Sequence, residues 1–315
     1  MIEHVALGVD IGGTTTAFGV VNRTGEVLFE RVLNTRDYSD PKDLVLEIHK
    51  TIDKNGFLDK LLGIGIGAPN GNVFTGNIEF APNLLWKGVV PISDMFEQTF
   101  HRPALVENDA NAAAIGEHLF GNAQDLSDFV LITLGTGLGS GIFIDDKLVI
   151  GSQGFAGEYG HIVVVPQGRL CGCGRKGCLE TYASSTGVVR SANEINSPNK
   201  SSSSIWNEKE LSAKNIFNEA IKGDAFANEI VSYTATILGE ALANFAAFSN
   251  PKAYVLFGGI AQSNDFFTEK VKIAMEASAL KIYQNHIEIR TSALHDRNAA
   301  VLGTAASLFW KAIKK

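Results

Sequence analysis

Gly8-Val9-Asp10-Ile11-Gly12-Gly13-Thr14-Thr15-Thr16 decides the fold, because its grammar returns at Leu134-Gly135-Thr136-Gly137-Leu138-Gly139-Ser140-Gly141. Each stretch is an apolar run that breaks into a glycine-rich turn flanked by hydroxyls. Around the first, runs rich in Val, Ile and Phe at residues 5–10, 16–21 and 27–33 read as three strands, with Asn22-Arg23-Thr24-Gly25 as a turn between the last two. Residues 41–55 follow as a helix with Leu44, Ile48 and Ile52 on one face, and residues 61–67 as a further strand. Around the second, residues 129–134, 141–144 and 147–150 form another meander, to which residues 253–257 add a fourth strand. A repeat of this size implies two related α/β lobes. Residues 103–108 read as a short strand running into a helix at 110–120, and residues 225–248 as a long helix. Residues 191–208 are polar, with four serines in a row at 201–204, and read as an exposed connection. A closing helix at 299–313 puts Val301, Leu302, Ala305, Leu308 and Phe309 on one side. If it packs back on the first lobe, residues 1–112 plus 299–315 form a smaller lobe and residues 113–298 a larger one.

The length of 315 residues suits two domains, and 45% apolar residues suffice for two cores. Lys plus Arg number 27 against 34 Asp plus Glu, a net charge of −7, and no basic run is present to follow a phosphate backbone. Nucleic acid is therefore not an expected partner. No apolar stretch reads as long enough to span a bilayer, and Met1-Ile2-Glu3-His4 lacks a basic leader, so a cytoplasmic protein with no membrane partner is expected. The 32 glycines exceed the usual share.

Glycines directly after a strand let backbone N–H groups approach an anion, and neighbouring hydroxyls add donors. Asp10 in the first loop would repel a phosphate but could hold the water shell of Mg²⁺. A metal-nucleotide thus accounts for two such loops at equivalent places in a repeat, although tight hairpin turns need the same residues. A Walker-type P-loop is absent. Gly172-Cys173-Gly174-Arg175-Lys176-Gly177 matches a dinucleotide pattern by letters alone, since it neither follows a strand nor opens a helix.

All three cysteines, Cys171, Cys173 and Cys178, lie in that short window. With His161 they offer three sulfurs and one nitrogen, the ligand set of a closed tetrahedral Zn²⁺ site, and a filled shell makes such an ion structural. A redox pair is disfavoured by the lack of Cys-x-x-Cys. Zinc here would fix His161 and, through it, Glu158 and Glu180 at either end of the metal loop.

Asp10-Ile11-Gly12-Gly13-Thr14, Glu107-Asn108-Asp109-Ala110-Asn111, Gly135-Thr136-Gly137-Leu138-Gly139, Gly157-Glu158-Tyr159-Gly160-His161 and the run from Cys171 to Glu180 together resemble the ROK family of bacterial sugar kinases and repressors. The likeness covers nearly the whole chain. It implies a two-lobed actin-like ATPase fold, a duplicated ribonuclease H-like unit around a central ligand cleft that closes on sugar. It also implies ATP and Mg²⁺ as cofactors, and a homodimer or homotetramer. Asp109 would then be the catalytic base, although Asn108-Asp109-Ala110-Asn111 before an alanine-rich helix also looks like a helix cap. Asn83, Asn108, Glu158, His161 and Glu180 match the family's sugar-contacting positions, and Asn70 and Gly71 sit in a loop expected to line the same region. Asn83 could equally cap its own loop. On the nucleotide side the resemblance assigns Gly12, Gly13, Thr14 and Thr15 beside Asp10, then Gly135, Thr136 and Gly137, and Gly258-Gly259 after the strand at 253–257, where a plain strand-to-helix turn is the alternative.

The expected activity is an ATP-dependent hexokinase acting on the 6-hydroxyl of glucose. An N-acetylglucosamine or N-acetylmannosamine kinase, or a dual-specificity enzyme, needs nearly the same residues, and polyphosphate is an alternative donor. From another class, a non-catalytic sugar-sensing regulator is disfavoured because the first strand begins near residue 5, leaving no room ahead of it for a helix-turn-helix, and because the charge is acidic.

Overall fold

The computed structural model describes residues 4–207, 209–261, 265–294 and 299–313. Residues 1–3, on which the reading of the N-terminus rests, lie outside the described residues, as do 295–298 and 314–315 at the ends of the expected lobes. The chain forms two compact units, one from residues 1–125, 148–156 and 293–315, the other from residues 126–147 and 157–292.

In the first unit β1 (Val5–Ile11), β2 (Thr15–Val21) and β3 (Val27–Asn34) form the meander. Helix α1 (Pro41–Lys54) starts on the Asp40 carboxylate, which accepts from Lys42 N at 2.9 Å with Pro41 in the first turn, and buries Leu44, Val45, Ile48 and Ile52. Strand β4 (Leu61–Ala68) pairs parallel with β1. The short strands β5 (Gly71–Asn72), β6 (Asn77–Glu79) and β7 (Val89–Val90) form a separate small sheet, and α2 (Ile92–Phe100), β8 (Ala104–Asn108) and α3 (Asp109–Phe120) complete this part of the chain. The main sheet runs β3-β2-β1-β4-β8.

The second unit repeats that plan. Strands β9 (Phe129–Leu134), β10 (Leu138–Ile144) and β11 (Lys147–Leu148) are followed by helices α4 (Glu180–Ala183), α5 (Ser185–Glu194), α6 (Ala213–Ile221) and α7 (Ala225–Ser249). Then come β12 (Ala253–Phe257), α8 (Asp265–Ser278) and β13 (Glu288–Thr291). Its sheet order, β11-β10-β9-β12-β13, is the first sheet's order with β1 replaced by β9 and β4 by β12. In both, an antiparallel meander is extended by parallel strands from its first member. The α/β duplication expected from the repeat is thus present.

Helix α9 (Ala299–Ile313) lies on the first sheet, against β1, β2 and β4. Glycines make that contact. A Cβ at Gly8 would sit 2.2 Å from Val301 O, and one at Gly65 would sit 1.8 Å from Thr304 O. The glycine excess therefore has a packing cause that the reading by phosphate loops left out: Gly8 in β1 and the alternate Gly63, Gly65 and Gly67 in β4 leave the sheet face bare, so that helix backbone can approach it. Helix α3 also packs on α9, so the expected boundary after residue 112 falls inside an element of the first unit.

Two expectations need correction. Residues 191–208 are not simply an exposed connection. Helix α5 continues to Glu194, short 3-10 turns occupy Lys200–Ser202 and Ser204–Asn207, and Ile205 is fully buried. Ser203 Oγ and Ser204 N donate to the carboxylate of Asp224, the residue that caps α7, at 2.8 and 2.7 Å. The serine run is thus structural, although Glu208 itself lies outside the described residues. Nor is an apolar stretch of membrane-spanning length absent, since α7 is long and apolar enough by composition. It is instead the core helix of the second unit, packed on α6 and α8 with Ile230, Leu238, Leu242 and Phe245 buried.

Candidate active site

In the first unit the site grows from the C-terminal ends of β1 and β8. Strand β1 delivers Asp10, and the chain turns at once, Gly12 N donating to Thr15 O at 2.9 Å. A Cβ on Gly13 would fall 2.4 Å from the carbonyl oxygen of Asn83, so the 81–84 loop lies directly against the glycine turn. That loop is clamped by Lys87, whose Nζ donates to Pro82 O at 3.3 Å and Leu84 O at 2.7 Å. Lys87 carried no signal in the sequence, because a lone lysine in a loop is ordinarily a solvated surface charge. Thr14 and Thr15 remain exposed, with Thr14 O accepting from Thr35 N at 2.8 Å.

Strand β8 runs without a break into α3. The cap is Asn108: its Oδ1 accepts from Ala110 N at 2.9 Å and Asn111 N at 3.3 Å. Asp109 is therefore the first helical residue, with its Oδ1 accepting from Ala110 N at 2.8 Å. Burial raises the pKa of Asp109, against the lowering effect of the backbone N–H groups of Ala110 and of Asp109 itself. The side chain is nonetheless open to solvent, so dense protein around it and contact with water coexist and the upward push is smaller than full enclosure would give. Asp10 is pushed from 3.8 to about 7, first by burial and then by the charge of Asp109. Two carboxylates that resist joint ionisation are a donor set for a divalent cation, whose charge removes the conflict.

Gly71 lies against β8, where a Cβ would meet Glu107 O at 2.4 Å. Asn70 lies in the loop between β4 and β5, directly before Gly71. Held at φ 53°, it donates through Nδ2 to Glu79 O at 2.9 Å and so shapes the β5–β6 hairpin.

In the second unit the four expected metal ligands converge. The donor atoms of His161, Cys171, Cys173 and Cys178 all lie within 4.8 Å of one another. A tetrahedral ion bound by sulfur at about 2.3 Å and nitrogen at about 2.0–2.1 Å separates two sulfurs by about 3.8 Å and sulfur from nitrogen by about 3.6 Å. Cys173 Sγ and Cys178 Sγ are 3.7 Å apart, and Cys171 Sγ and His161 Nδ1 are 3.6 Å apart. Burial pushes the Cys171 thiol up to about 12 and raises Cys178 as well. At Cys173 burial acts upward too, but hydrogen bonds from the Arg175 backbone and the neighbouring thiols outweigh it and lower the pKa. Such thiols do not ionise together without a cation among them, so geometry and chemistry both fit Zn²⁺.

Glu180 opens α4 and connects this cluster to the second glycine loop. One carboxylate oxygen lies 3.6 Å from Cys171 Sγ and the other accepts from Leu138 N at 3.1 Å. A Cβ on Gly137 would come within 2.6 Å of that second oxygen, so a larger residue there would push the Glu180 carboxylate aside. Glu158 is exposed and precedes the short turn Tyr159–His161, its carbonyl accepting from His161 N at 3.1 Å.

A cavity of about 850 Å³ opens beside Gly135 and Thr136 and extends to Gly259. Gly258 holds φ 110°, and a Cβ on it would meet Leu134 O at 2.6 Å, so the glycine pair folds directly over the end of β9. The far wall comes from α5 and α6 through Thr186, Val189 and Phe217, with Leu211 just ahead of α6. The first turn of α5 fixes the loop: Ser185 Oγ donates to Gly135 O and Thr186 Oγ1 to Thr136 O, each at 2.8 Å. These wall residues were missed in the sequence, where the one available signal was Ser184-Ser185-Thr186-Gly187 beside Glu180. Apolar walls, hydroxyls and free-standing glycine loops suit a nucleotide.

The model of the ROK family matches residues 6–311. This chain belongs to the ROK family. A glucokinase of Halalkalibacterium halodurans is 36% identical over 313 residues, covering 96% of this chain and 94% of that protein. A ROK family glucokinase of Streptomyces griseus, solved with glucose and AMPPNP, superposes with a TM-score of 0.82 at 34% identity over 96% of this chain and 98% of its own. A xylose repressor of Caldicellulosiruptor bescii is 32% identical over 95% of this chain but 77% of its own length. The fold is accordingly the actin-like ATPase fold of the ROK sugar kinases, expected from the five motifs.

Proposed function

We infer that this chain is an ATP-dependent glucokinase. Its likeness over nearly full length to the Streptomyces griseus enzyme, which holds glucose and an ATP analogue, carries this reading. In the reaction the 6-hydroxyl oxygen bonds to the γ-phosphorus, the bond from that phosphorus to the β,γ-bridging oxygen breaks, ADP leaves, and the hydroxyl proton goes to a base. Asp109 is that base. The N–H groups at the start of α3 pull its pKa down against the burial that raises it, and a carboxylate held above its ordinary value is the stronger proton acceptor once ionised. Asn83, the amide nitrogen of Asn108, Glu158, His161 and Glu180 take the sugar hydroxyls, and Gly71 borders the sugar through its backbone.

For the donor, Gly12, Gly13, Thr14, Thr15, Gly135, Thr136 and Gly137 offer N–H and hydroxyl donors to the phosphates, and Gly258 and Gly259 border the adenosine. Asp10 would hold Mg²⁺ through its water shell, and when bound that cation screens the phosphate charge. Zn²⁺ held by His161, Cys171, Cys173 and Cys178 fixes the metal loop and with it Glu180. Zinc-bound thiolates and an ATP donor would suit a reducing cytoplasm, and the excess of 34 Asp plus Glu over 27 Lys plus Arg supports a reading with neither nucleic acid nor membrane as partner. Homodimeric or homotetrameric assembly is part of the same proposal and is read by light scattering.

Glucose, mannose, fructose, N-acetylglucosamine and N-acetylmannosamine assayed in parallel with ATP and with polyphosphate test the reading. Glucose with ATP should give the highest kcat/KM. Preference for an N-acetyl sugar would reassign the acceptor, and sugar binding with no transfer to any of them would make the chain a sugar-sensing regulator.

A further inference from the structure

Arg169 is an arginine in the loop that leads to Cys171, and no role in the chemistry above falls to it. It is 8% exposed, unusual for an arginine, and four of the five N–H donors of its fork are engaged within the second unit. Nε donates to Glu194 Oε2 at 2.7 Å, Nη1 to Thr181 O at 2.7 Å and Gly187 O at 3.3 Å, and Nη2 to Ser191 Oγ at 3.1 Å. The guanidinium carbon lies 4.4 Å from the centre of the Tyr182 ring, whose hydroxyl accepts from Arg169 N at 3.0 Å. Its own carbonyl accepts from Gly177 N at 2.8 Å, inside the metal loop.

Most of these side-chain partners belong to α5, from its first turn at Gly187 to its last residue Glu194. The same first turn carries Ser185 and Thr186, whose hydroxyls hold the carbonyls of Gly135 and Thr136. A continuous chain of hydrogen bonds thus runs from the metal loop through Arg169 and α5 to the loop beside the 850 Å³ cavity. A planar fork fixes α5 in both position and rotation, which a lysine's point charge cannot do.

We propose that Arg169 is a positioning residue for the nucleotide: it docks α5 on the metal loop, and α5 in turn sets the Gly135–Thr136 loop that receives the donor phosphates. The inference rests on the donor assignment made above.

The test is a double-mutant cycle of Arg169→Lys and Thr186→Val, read by calorimetric AMPPNP binding, by KM for glucose and ATP, and by zinc content. Arg169→Lys should retain one zinc per chain and a glucose KM within about twofold of wild type, while the AMPPNP dissociation constant and the KM for ATP rise at least about fivefold. Thr186→Val breaks the same chain at its other end, so the double variant should bind AMPPNP no more weakly than about twofold below the weaker single variant. Should Arg169→Lys fail to fold, Ser191→Ala removes the Nη2 acceptor, together with the local bond from Ser191 Oγ to Gly187 O within α5, and should shift AMPPNP affinity in the same direction. Wild-type nucleotide affinity in Arg169→Lys overturns the proposal. So do fully additive effects, or a parallel loss of zinc, sugar and nucleotide binding. A wild-type protein that binds AMPPNP but does not phosphorylate glucose would refute the glucokinase reading and leave this inference standing.

Discussion

At the scale of single residues, the pair Asp10 and Asp109 carries the sharpest expectations. Asp109→Asn keeps the volume and the helix cap on Asn108, so the variant should fold and bind glucose as wild type does. Its kcat should fall by roughly 100- to 10,000-fold, the worth of a general base, and a coupled assay returning near-normal kcat would remove Asp109 from the mechanism. Asp10 is held at about 7 in the folded chain against an ordinary 3.8. The folded pKa lies above the unfolded one, so the stability this group contributes when protonated is complete below about pH 3.8 and is lost as pH rises through about 7. Asp10→Asn has no such loss. The variant's advantage in Tm over the metal-free wild type should therefore widen between those two values and level off above them. Adding Mg²⁺ at pH 8 should raise the Tm of the wild type alone. Melting curves that run parallel from pH 5 to pH 8 would contradict this. The apparent affinity of the wild type for Mg²⁺ should also weaken below about pH 7, because the ionised carboxylate is the form that holds the cation's water.

At the scale of elements, the metal loop and the glycine-stripped sheet face have separate tests. Elemental analysis should find one zinc per chain. Cys171→Ser or Cys173→Ser should lose it together with sugar phosphorylation, since Glu180 stands 3.6 Å from Cys171 Sγ; a zinc-free wild type with full activity would refute the metal assignment. At Gly65 an added methyl would meet the carbonyl of Thr304 at 1.8 Å. Backbone, not a flexible side chain, must then move. Gly65→Ala should cost about 1–3 kcal/mol, the range for overpacking, measurable by urea denaturation, and an unchanged midpoint would show that α9 shifts freely. The strands and helices with a clear period were legible: β1, β2, β3, α1, α7 and α9 lie where their apolar spacing put them. Strand β10 begins at Leu138, ahead of the expected residue 141, because glycines at its start hide a strand that pairs with β9 from Leu134 onward. The hairpins β5 to β7 were not legible, since strands of two or three residues carry no period.

At the scale of the whole molecule, the duplication was readable because each half repeats a strand, glycine turn and strand. The cavity beside Gly135 and Thr136 was not, since its walls come from residues 134–136, 185–189, 211–218 and 259–260. Ligand linkage gives the corresponding test. Glucose at about 100 times its dissociation constant should stabilise the protein by about 2.7 kcal/mol, seen as a rise in Tm that xylose at equal concentration does not produce. An equal rise with xylose would point instead toward the specificity named for the Caldicellulosiruptor bescii repressor.

By itself, the sequence determined the alternating apolar pattern of the two meanders, the glycine turns that end their first strands, and a ligand set of three sulfurs and one imidazole. These are matters of residue type and short spacing, and the covalent chain fixes them. Only the tertiary structure decided that the four metal donors converge within 4.8 Å of one another, that Asp10 and Asp109 share one field, that Asn108 and not Asp109 caps α3, and that Arg169 is spent on α5. Each depends on backbone conformation and on distances in space that residue type and spacing do not set. Charge, hydrogen bonding and metal affinity act through space, so their values exist only once the chain has folded.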